Sequence, residues 1–419
     1  MSSLLLRLVH FRCRAQAPVQ RARGSLLLAL FLGLSCQNDR LRLSEAAALQ
    51  HLWRINVVAP DQPIHATTYP IIQGNKAFVV QTDHNAVSTY KVLNLNDGSV
   101  AWAHADTTDA PPPYYNLDGV STKGLLCLPA NSSVKVLDWD TGREKWHFTP
   151  QGSPVQHLAL YRDHYLLQTT NDWQARKTHL YRYDLKSGAM KLCWSIPWPD
   201  STQLLGYSPL PLAEEGLALF VATVRHTESR QTHSFWQVVE IGSGRVVRTG
   251  DAYPENTDGH GPTKQPIRCG KDVLIVAYDQ VFRLDPRTGA EVWRLTLPRD
   301  MLTSRPLLDG DALYCAMEDA MLYKIDATTG QVLWETAISG TPSRMAICGR
   351  HLFVIGGGDG MLYTIDTADG RTVRKMRSPN HDYRRDEFFQ RFIGTDCQQN
   401  RLLLFDGRNI RAYAPYESY

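Results

Sequence analysis

The chain has 419 residues, 43% hydrophobic and 21% charged, which excludes an intrinsically disordered protein and leaves ample chain for a buried core. Its formal charge is +3, but residues 1–36 carry five arginines and no acid, so the rest holds 40 basic against 42 acidic residues. The basicity belongs to the leader and gives no support for nucleic-acid binding, which needs a basic patch on the folded domain.

Residues 1–36 read as an export signal. Arg7, Arg12, Arg14, Arg21 and Arg23 precede an apolar stretch from Ser25 to Leu34, and the small Ser35 stands before Cys36. Roughly ten apolar residues are too few to span a bilayer. The stretch Leu32-Gly33-Leu34-Ser35-Cys36 resembles a bacterial lipobox, with Gly33 where leucine is usual. The resemblance implies a lipid on Cys36 and a membrane-anchored lipoprotein facing the periplasm. Without lipidation the exported chain is expected to be soluble in the periplasm.

Residues 37–50 read as a linker and 51–419 as a single domain. The first element, His51-Leu-Trp53-Arg-Ile-Asn-Val57, is a lone strand with a tryptophan near its start. Beyond it one unit recurs: an Asp, a Gly four positions on, and a Trp four positions beyond that. Strong copies are Asp138…Gly142…Trp146, Asp285…Gly289…Trp293 and Asp326…Gly330…Trp334. Weaker copies are Asn94…Gly98…Trp102, Asp184…Gly188…Trp194, Glu240…Gly244 and Asp366…Gly370. The glycines lie 40 to 56 residues apart, the period of a four-stranded propeller blade. In each unit the Asp can bond nearby backbone to set a turn, and the Gly supplies a positive φ. The Trp that follows can then pack against the next blade. Its burial removes ~150–250 Å² from water, a gross gain of about 4–6 kcal/mol.

Within a unit the strands follow from the apolar pattern. In the fifth blade they are Gln265–Cys269, Val273–Ala277, Gln280–Leu284 and Glu291–Leu295. Ala312–Ala316 with Met321–Ile325, and His351–Ile355 with Met361–Ile365, continue the series. After Gly370 three strands remain, Phe389–Ile393, Arg401–Phe405 and Asn409–Tyr413, with no fourth. Residues 51–57 are therefore expected to complete the last blade. The fold class is all-β, an eight-bladed propeller of four-stranded antiparallel blades whose seam leaves no open end.

The Asp-x-x-Thr-Gly-x-x-x-Trp units resemble the tryptophan-docking repeats of the PQQ-like propeller superfamily, over about residues 51–415. That superfamily includes quinoprotein dehydrogenases and a propeller lipoprotein of the outer-membrane β-barrel assembly machine. The chain resembles the second group more, by its size, its lipobox-like stretch and its compact blades. The resemblance implies protein partners in the cell envelope, contact with a membrane through the anchor, no nucleic acid and a monomer. On this reading Trp53, Trp102, Trp146, Trp194, Trp293 and Trp334 are blade-docking residues, seated with Gly142, Gly289, Gly330 and Gly370.

A PQQ-dependent dehydrogenase is the alternative. The resemblance would then imply an axial pocket with calcium, acidic and amide ligands and a catalytic Asp. Calcium takes six to eight oxygens, and no cluster in the sequence maps onto that set. The expectation is no cofactor, no metal and no catalytic residue, with PQQ and calcium only under the alternative. Gly356-Gly-Gly-Asp-Gly360 aligns with blade hairpins, and no helix follows it to make a phosphate site.

Three insertions are candidate contact loops: Ala110–Tyr115, with Tyr114 and Tyr115; Arg225–His233; and His381–Phe389. Lys264, Arg268, Arg305, Arg344 and Arg391 lie near inner strands. If they face the channel they would suit a polysaccharide or small anion, though alternation could equally turn them outward. Cys127, Cys193, Cys269, Cys315, Cys348 and Cys397 follow Cys36. Their even number in an exported chain permits disulfides, but their spacing and apolar surroundings favour buried small hydrophobes.

Overall fold

A computed structural model describes residues 49–56, 65–66, 70–82, 88–106, 119–130, 132–198, 202–212, 216–229, 231–256, 265–298, 304–318, 320–340, 342–382, 388–390 and 393–415. These residues form eight antiparallel sheets arranged as the blades of a propeller, with no helix among them. Blades 2 to 7 each take four consecutive strands, running outward from the hub in sequence order. Blade 5, for example, comprises Ile267–Cys269, Asp272–Ala277, Gln280–Leu284 and Glu291–Thr296. Its second strand is buried along its whole length and its outermost strand is mostly exposed. That contrast explains why the inner runs are continuously apolar and the outer ones alternate.

The seam is closed by the amino-terminal strand. Gln50–Asn56 pairs antiparallel with Asn409–Ala414, from Gln50 opposite Ala414 to Asn56 opposite Asn409. It becomes the outermost strand of blade 8, beside Arg401–Phe405 and Ile393–Asp396. The ring thus has eight blades although the sequence carries seven Asp–Gly turns of the repeating kind.

The hydrophobic core lies between blades. Each of eight clusters joins neighbours, as where Trp53, Leu403 and Phe405 of blade 8 meet Ala77, Val79 and Leu93 of blade 1. Each blade therefore depends on both neighbours, and closing the ring removes the two unpaired faces an open array would expose.

Three features depart from the sequence expectations. The inner strand of blade 8 is Ile393–Asp396, not Phe389–Ile393. Phe389 plugs the core between blades 7 and 8, and its N–H donates to Gly360 O at 3.2 Å. Cys348 and Cys397 are a disulfide with Cα atoms 5.3 Å apart, joining the inner strand of blade 7 to the first turn of blade 8. Among the described residues Cys127, Cys269 and Cys315 are buried free thiols, and Cys193 is half-buried. Arg225–His233 is the hairpin of blade 4, as the sequence suggests, with Leu217–His226 and Thr232–Glu240 overlapping only its two ends.

That hairpin has a wider setting. The strands of blades 3 and 4 are 8–11 residues long, and those of the other blades at most seven. Between the turn acid and the hairpin end of the third strand, blade 3 has two and blade 4 three residues more than blade 5; at ~3.3 Å per residue this extends their second hairpins by about 7–10 Å.

Candidate interaction surfaces

The recurring geometry of the joints starts from the outermost strand. In all eight blades that strand carries one bulged residue immediately before the docking position: Leu52, Ala101, Lys145, Cys193, Val247, Val292, Leu333 and Val373. A bulge adds local twist and re-aims the side chain that follows it. The side chains so aimed are Trp53, Trp102, Trp146, Trp194, Arg248, Trp293, Trp334 and Arg374.

Trp102 shows the dock. Gly142, in the turn of the next blade, has φ +69, and a Cβ there would stand 2.5 Å from Trp102 Cε3. Only glycine tolerates both the conformation and the contact. The indole Nε1 donates to Trp139 O at 2.9 Å. The same arrangement seats Trp53 on Gly98, Trp146 on Gly188, Trp293 on Gly330 and Trp334 on Gly370. Their indoles donate to Leu95 O, Leu185 O, Ala327 O and Thr367 O. Trp194 meets Gly244 through Cβ and Cγ instead, and packs edge-on to Phe220.

At three joints a cation shares the carbonyl with the indole. Arg401 donates to Leu95 O at 2.8 Å, Arg283 to Ala327 O at 3.0 Å and Lys324 to Thr367 O at 2.7 Å. Both lone pairs of the oxygen are thus used. Sequence reasoning missed these donors, and it missed Trp236. Trp236 lies on the third strand of blade 4 and reaches within 3.3 Å of where a Cβ on Gly289 would sit, so it fills the joint that Arg248 leaves without a tryptophan.

The turn carboxylates hold the docking glycines. Asp138 accepts from the Thr141 hydroxyl at 2.8 Å and its backbone N–H at 2.9 Å, bonds that hold its carboxyl below the usual range. Asp326 accepts from the N–H groups of Thr328 and Thr329, both at 2.8 Å, with the same effect.

The residues singled out for partner or channel contact are less concentrated. Cys36, Tyr114, Tyr115, Lys264 and Arg391 lie outside the described residues. Arg305 and Arg344 are half-buried at equivalent positions, two residues before the inner strands of blades 6 and 7. Each follows a buried serine, and Ser343 Oγ donates to Arg344 O at 2.6 Å. Arg268 is exposed and donates to Pro211 O of blade 4 at 2.6 Å. In the Gly356–Gly360 turn, a Cβ on Gly360 would stand 2.6 Å from Phe388 Cδ2, and one on Gly356 would stand 2.5 Å from Ser339 Cβ. Close packing accounts for these two glycines. Among the described residues no group of three or more His, Cys, Asp and Glu side chains is placed to hold a metal ion.

The raised ends of blades 3 and 4 carry the most distinctive surface. Trp173, at the hairpin tip of blade 3, is 46% exposed. It stands edge-on to Trp198 with ring centres 4.9 Å apart, and Trp198 Nε1 donates to Thr178 Oγ1 at 2.9 Å. Arg176 ties this hairpin to blade 4 by donating to Thr202 O at 3.1 Å. Behind the tip, Asp172 accepts from the Ala175 N–H at 2.8 Å and from Gln151 Nε2 at 2.9 Å. His179 Nδ1 lies 2.7 Å from Ser195 Oγ, while Nε2 stands 3.9 Å from Asp172 Oδ2, too far for a hydrogen bond. Burial pushes the His179 imidazole below its ordinary value. On blade 4, His233 Nε2 lies 3.1 Å from Asp251 Oδ1. A rigid aromatic on a braced hairpin suits protein contact.

A second apolar feature runs around the rim. Val100, Met190, Leu192, Val246, Val292, Val332, Leu333 and Val373 are exposed, and all lie on outermost strands.

Comparison with known proteins fits this architecture. A family model described as outer membrane protein assembly factor BamB matches residues 221–388, from within blade 4 to the segment after blade 7. The outer membrane protein assembly factor BamB of Yersinia pestis is 26% identical over 100 residues, 22% of this chain and 25% of that protein. The match therefore spans a quarter of that relative's length. Among solved structures, BamB from Moraxella catarrhalis superposes with a TM-score of 0.62 at 15% identity, over 88% of this chain and 100% of that one. The computationally designed Ika8 protein gives 0.61 at 14% identity, over 87% and 99%. Sqt1 of Saccharomyces cerevisiae gives 0.59 at 8% identity, over 88% and 100%. At these identities the superpositions speak for the fold alone. The chain is thus an eight-bladed β-propeller with PQQ-like repeats, and it is similar to BamB in its sequence over residues 221–388 and in its fold.

Proposed function

We propose that the chain is a non-enzymatic scaffold of the cell envelope that binds other proteins in the assembly of outer-membrane proteins. The observation that carries this reading is the match of residues 221–388 to the family model of an outer-membrane assembly factor. The raised hairpin of blade 3, with Trp173 exposed at its tip, supplies a surface suited to a protein partner. The rim supplies a second, where an extended segment could add to an outermost strand. The Cys348–Cys397 disulfide agrees with an oxidising compartment and so with export. Lipidation of Cys36 would tether the ring to a membrane, since each buried CH₂ contributes about 0.8 kcal/mol.

The test is co-purification of the full chain from detergent-solubilised envelopes, beside a Trp173→Ala variant. The reading expects outer-membrane assembly proteins with the unaltered chain and reduced recovery with the variant. Equal recovery would remove blade 3 as the contact, and recovery of no assembly protein would remove the scaffold. For the anchor, Cys36→Ser should release the protein from membranes, and unchanged retention refutes lipidation.

A further inference from the structure

One joint of the ring is built differently from the rest. Six joints seat a tryptophan of the outermost strand on the turn glycine of the next blade, and the joint from blade 4 to blade 5 uses Trp236. The joint from blade 7 to blade 8 has neither half of the dock. Arg374 occupies the docking position, opposite Thr364. The blade 8 turn is tighter, with Asp406 N–H donating to Asn409 O at 3.1 Å, and no glycine stands four positions after Asp406. This same joint carries the Cys348–Cys397 disulfide, the only one among the described residues. Cys348 is fully buried in the joint's hydrophobic cluster, whereas Cys397 is exposed.

We infer that Cys348–Cys397 is a redox clasp that replaces the missing tryptophan dock, made and broken by thiol–disulfide exchange at the exposed Cys397. The co-reactant is a dithiol or its disulfide. A thiolate of the dithiol attacks Cys397 Sγ, and a mixed disulfide forms there as the bond to Cys348 breaks. Cys348 leaves with the bonding pair and takes a proton, becoming a buried thiol like Cys315. The second thiolate of the dithiol then attacks its own sulfur in the mixed disulfide. Cys397 is released as a thiol and the dithiol departs oxidised. The reverse sequence closes the clasp, with Cys348 as the resolving thiol.

The consequence is local. The clasp holds the inner strands Ala346–Cys348 and Ile393–Asp396, which lie beside one another near the hub. The outer closure at Gln50–Asn56 and Trp53 belongs to the other side of blade 8 and does not depend on it. Reduction should therefore loosen the hub side of one joint and leave the ring closed.

Two measurements on the full chain decide this. Hydrogen exchange of oxidised and phosphine-reduced protein should show about tenfold faster exchange on reduction in peptides covering 346–356 and 393–405, and no change in 120–148. No change at the first two, or equal acceleration at all three, overturns the clasp. Reaction with Ellman's reagent, mapped by mass spectrometry, tests the point of attack. In Cys348→Ala, Cys397 should react without denaturant; in Cys397→Ala, Cys348 should react only on unfolding. A silent Cys397, or equal reactivity of the two, overturns exchange at Cys397.

Discussion

At the scale of single residues, the docking glycines make the sharpest claim. Gly330 has φ +77, and a Cβ there would stand 2.7 Å from Trp293. Gly330→Ala combines an unfavourable backbone conformation with overpacking and should cost about 2–4 kcal/mol in denaturant unfolding. Gly310 has φ +57 but open space around it, so Gly310→Ala should cost only about 1 kcal/mol. Equal losses would contradict the docking account. The turn carboxylates add a pH dependence. Hydrogen bonds depress the folded-state values of Asp138 and Asp326 below the ordinary 3.8. The stability they contribute is fully present above 3.8 and is lost as pH falls through their lower folded values. The His179 imidazole is likewise depressed, by burial, below 6.5. Its contribution is complete above 6.5 and lost as pH falls through the folded value. Burial depresses His51 and His351 in the same direction, so thermal melts should fall in two acid steps, with the upper one reduced but not abolished by His179→Gln.

At the scale of elements, the closing strand is the critical piece. Trp53 is 8% exposed and lies among Leu403, Phe405 and Leu95 at the seam. Trp53→Ala should cost about 3–5 kcal/mol, as large aromatic truncations in cores do. Trp173→Ala removes a half-exposed ring and should change stability by about 1 kcal/mol or less. Denaturant titrations of both variants check the contrast. Much of this scale was legible in the sequence. The 40-residue spacing reported the blades, and the lone Trp53 strand together with only three strands left for the last blade reported the seam. The bulges were not legible, because the extra residue before each tryptophan looks like any alternation step until its partner strand is known. Trp236 was hidden because it comes from a third strand and fills a neighbour's joint. The polar group of Asp172, His179 and Ser195 was hidden for a similar reason: each sits on a different strand or turn, and only strand register brings them together. The Arg225–His233 hairpin of blade 4 was legible from its polar run, whereas the longer strands of blade 3 gave no separate signal.

At the scale of the whole molecule, the ring repeats one blade design, and the proposed scaffold role is assigned to the blades that differ from it. Seven joints are closed by aromatic docking and the eighth carries a disulfide. What distinguishes one arc from another is the raised pair of blades 3 and 4, with Trp173 at the summit. The measurement that tests the scaffold claim most directly is site-specific photocrosslinking in intact cells. A photoreactive residue at position 173 is compared with one at 333, on the exposed outer strand of blade 6. The account predicts a discrete adduct with an outer-membrane assembly protein from 173. Protein-free monomer at 173, with or without adducts at 333, would contradict the assignment of blade 3 as the partner-binding surface.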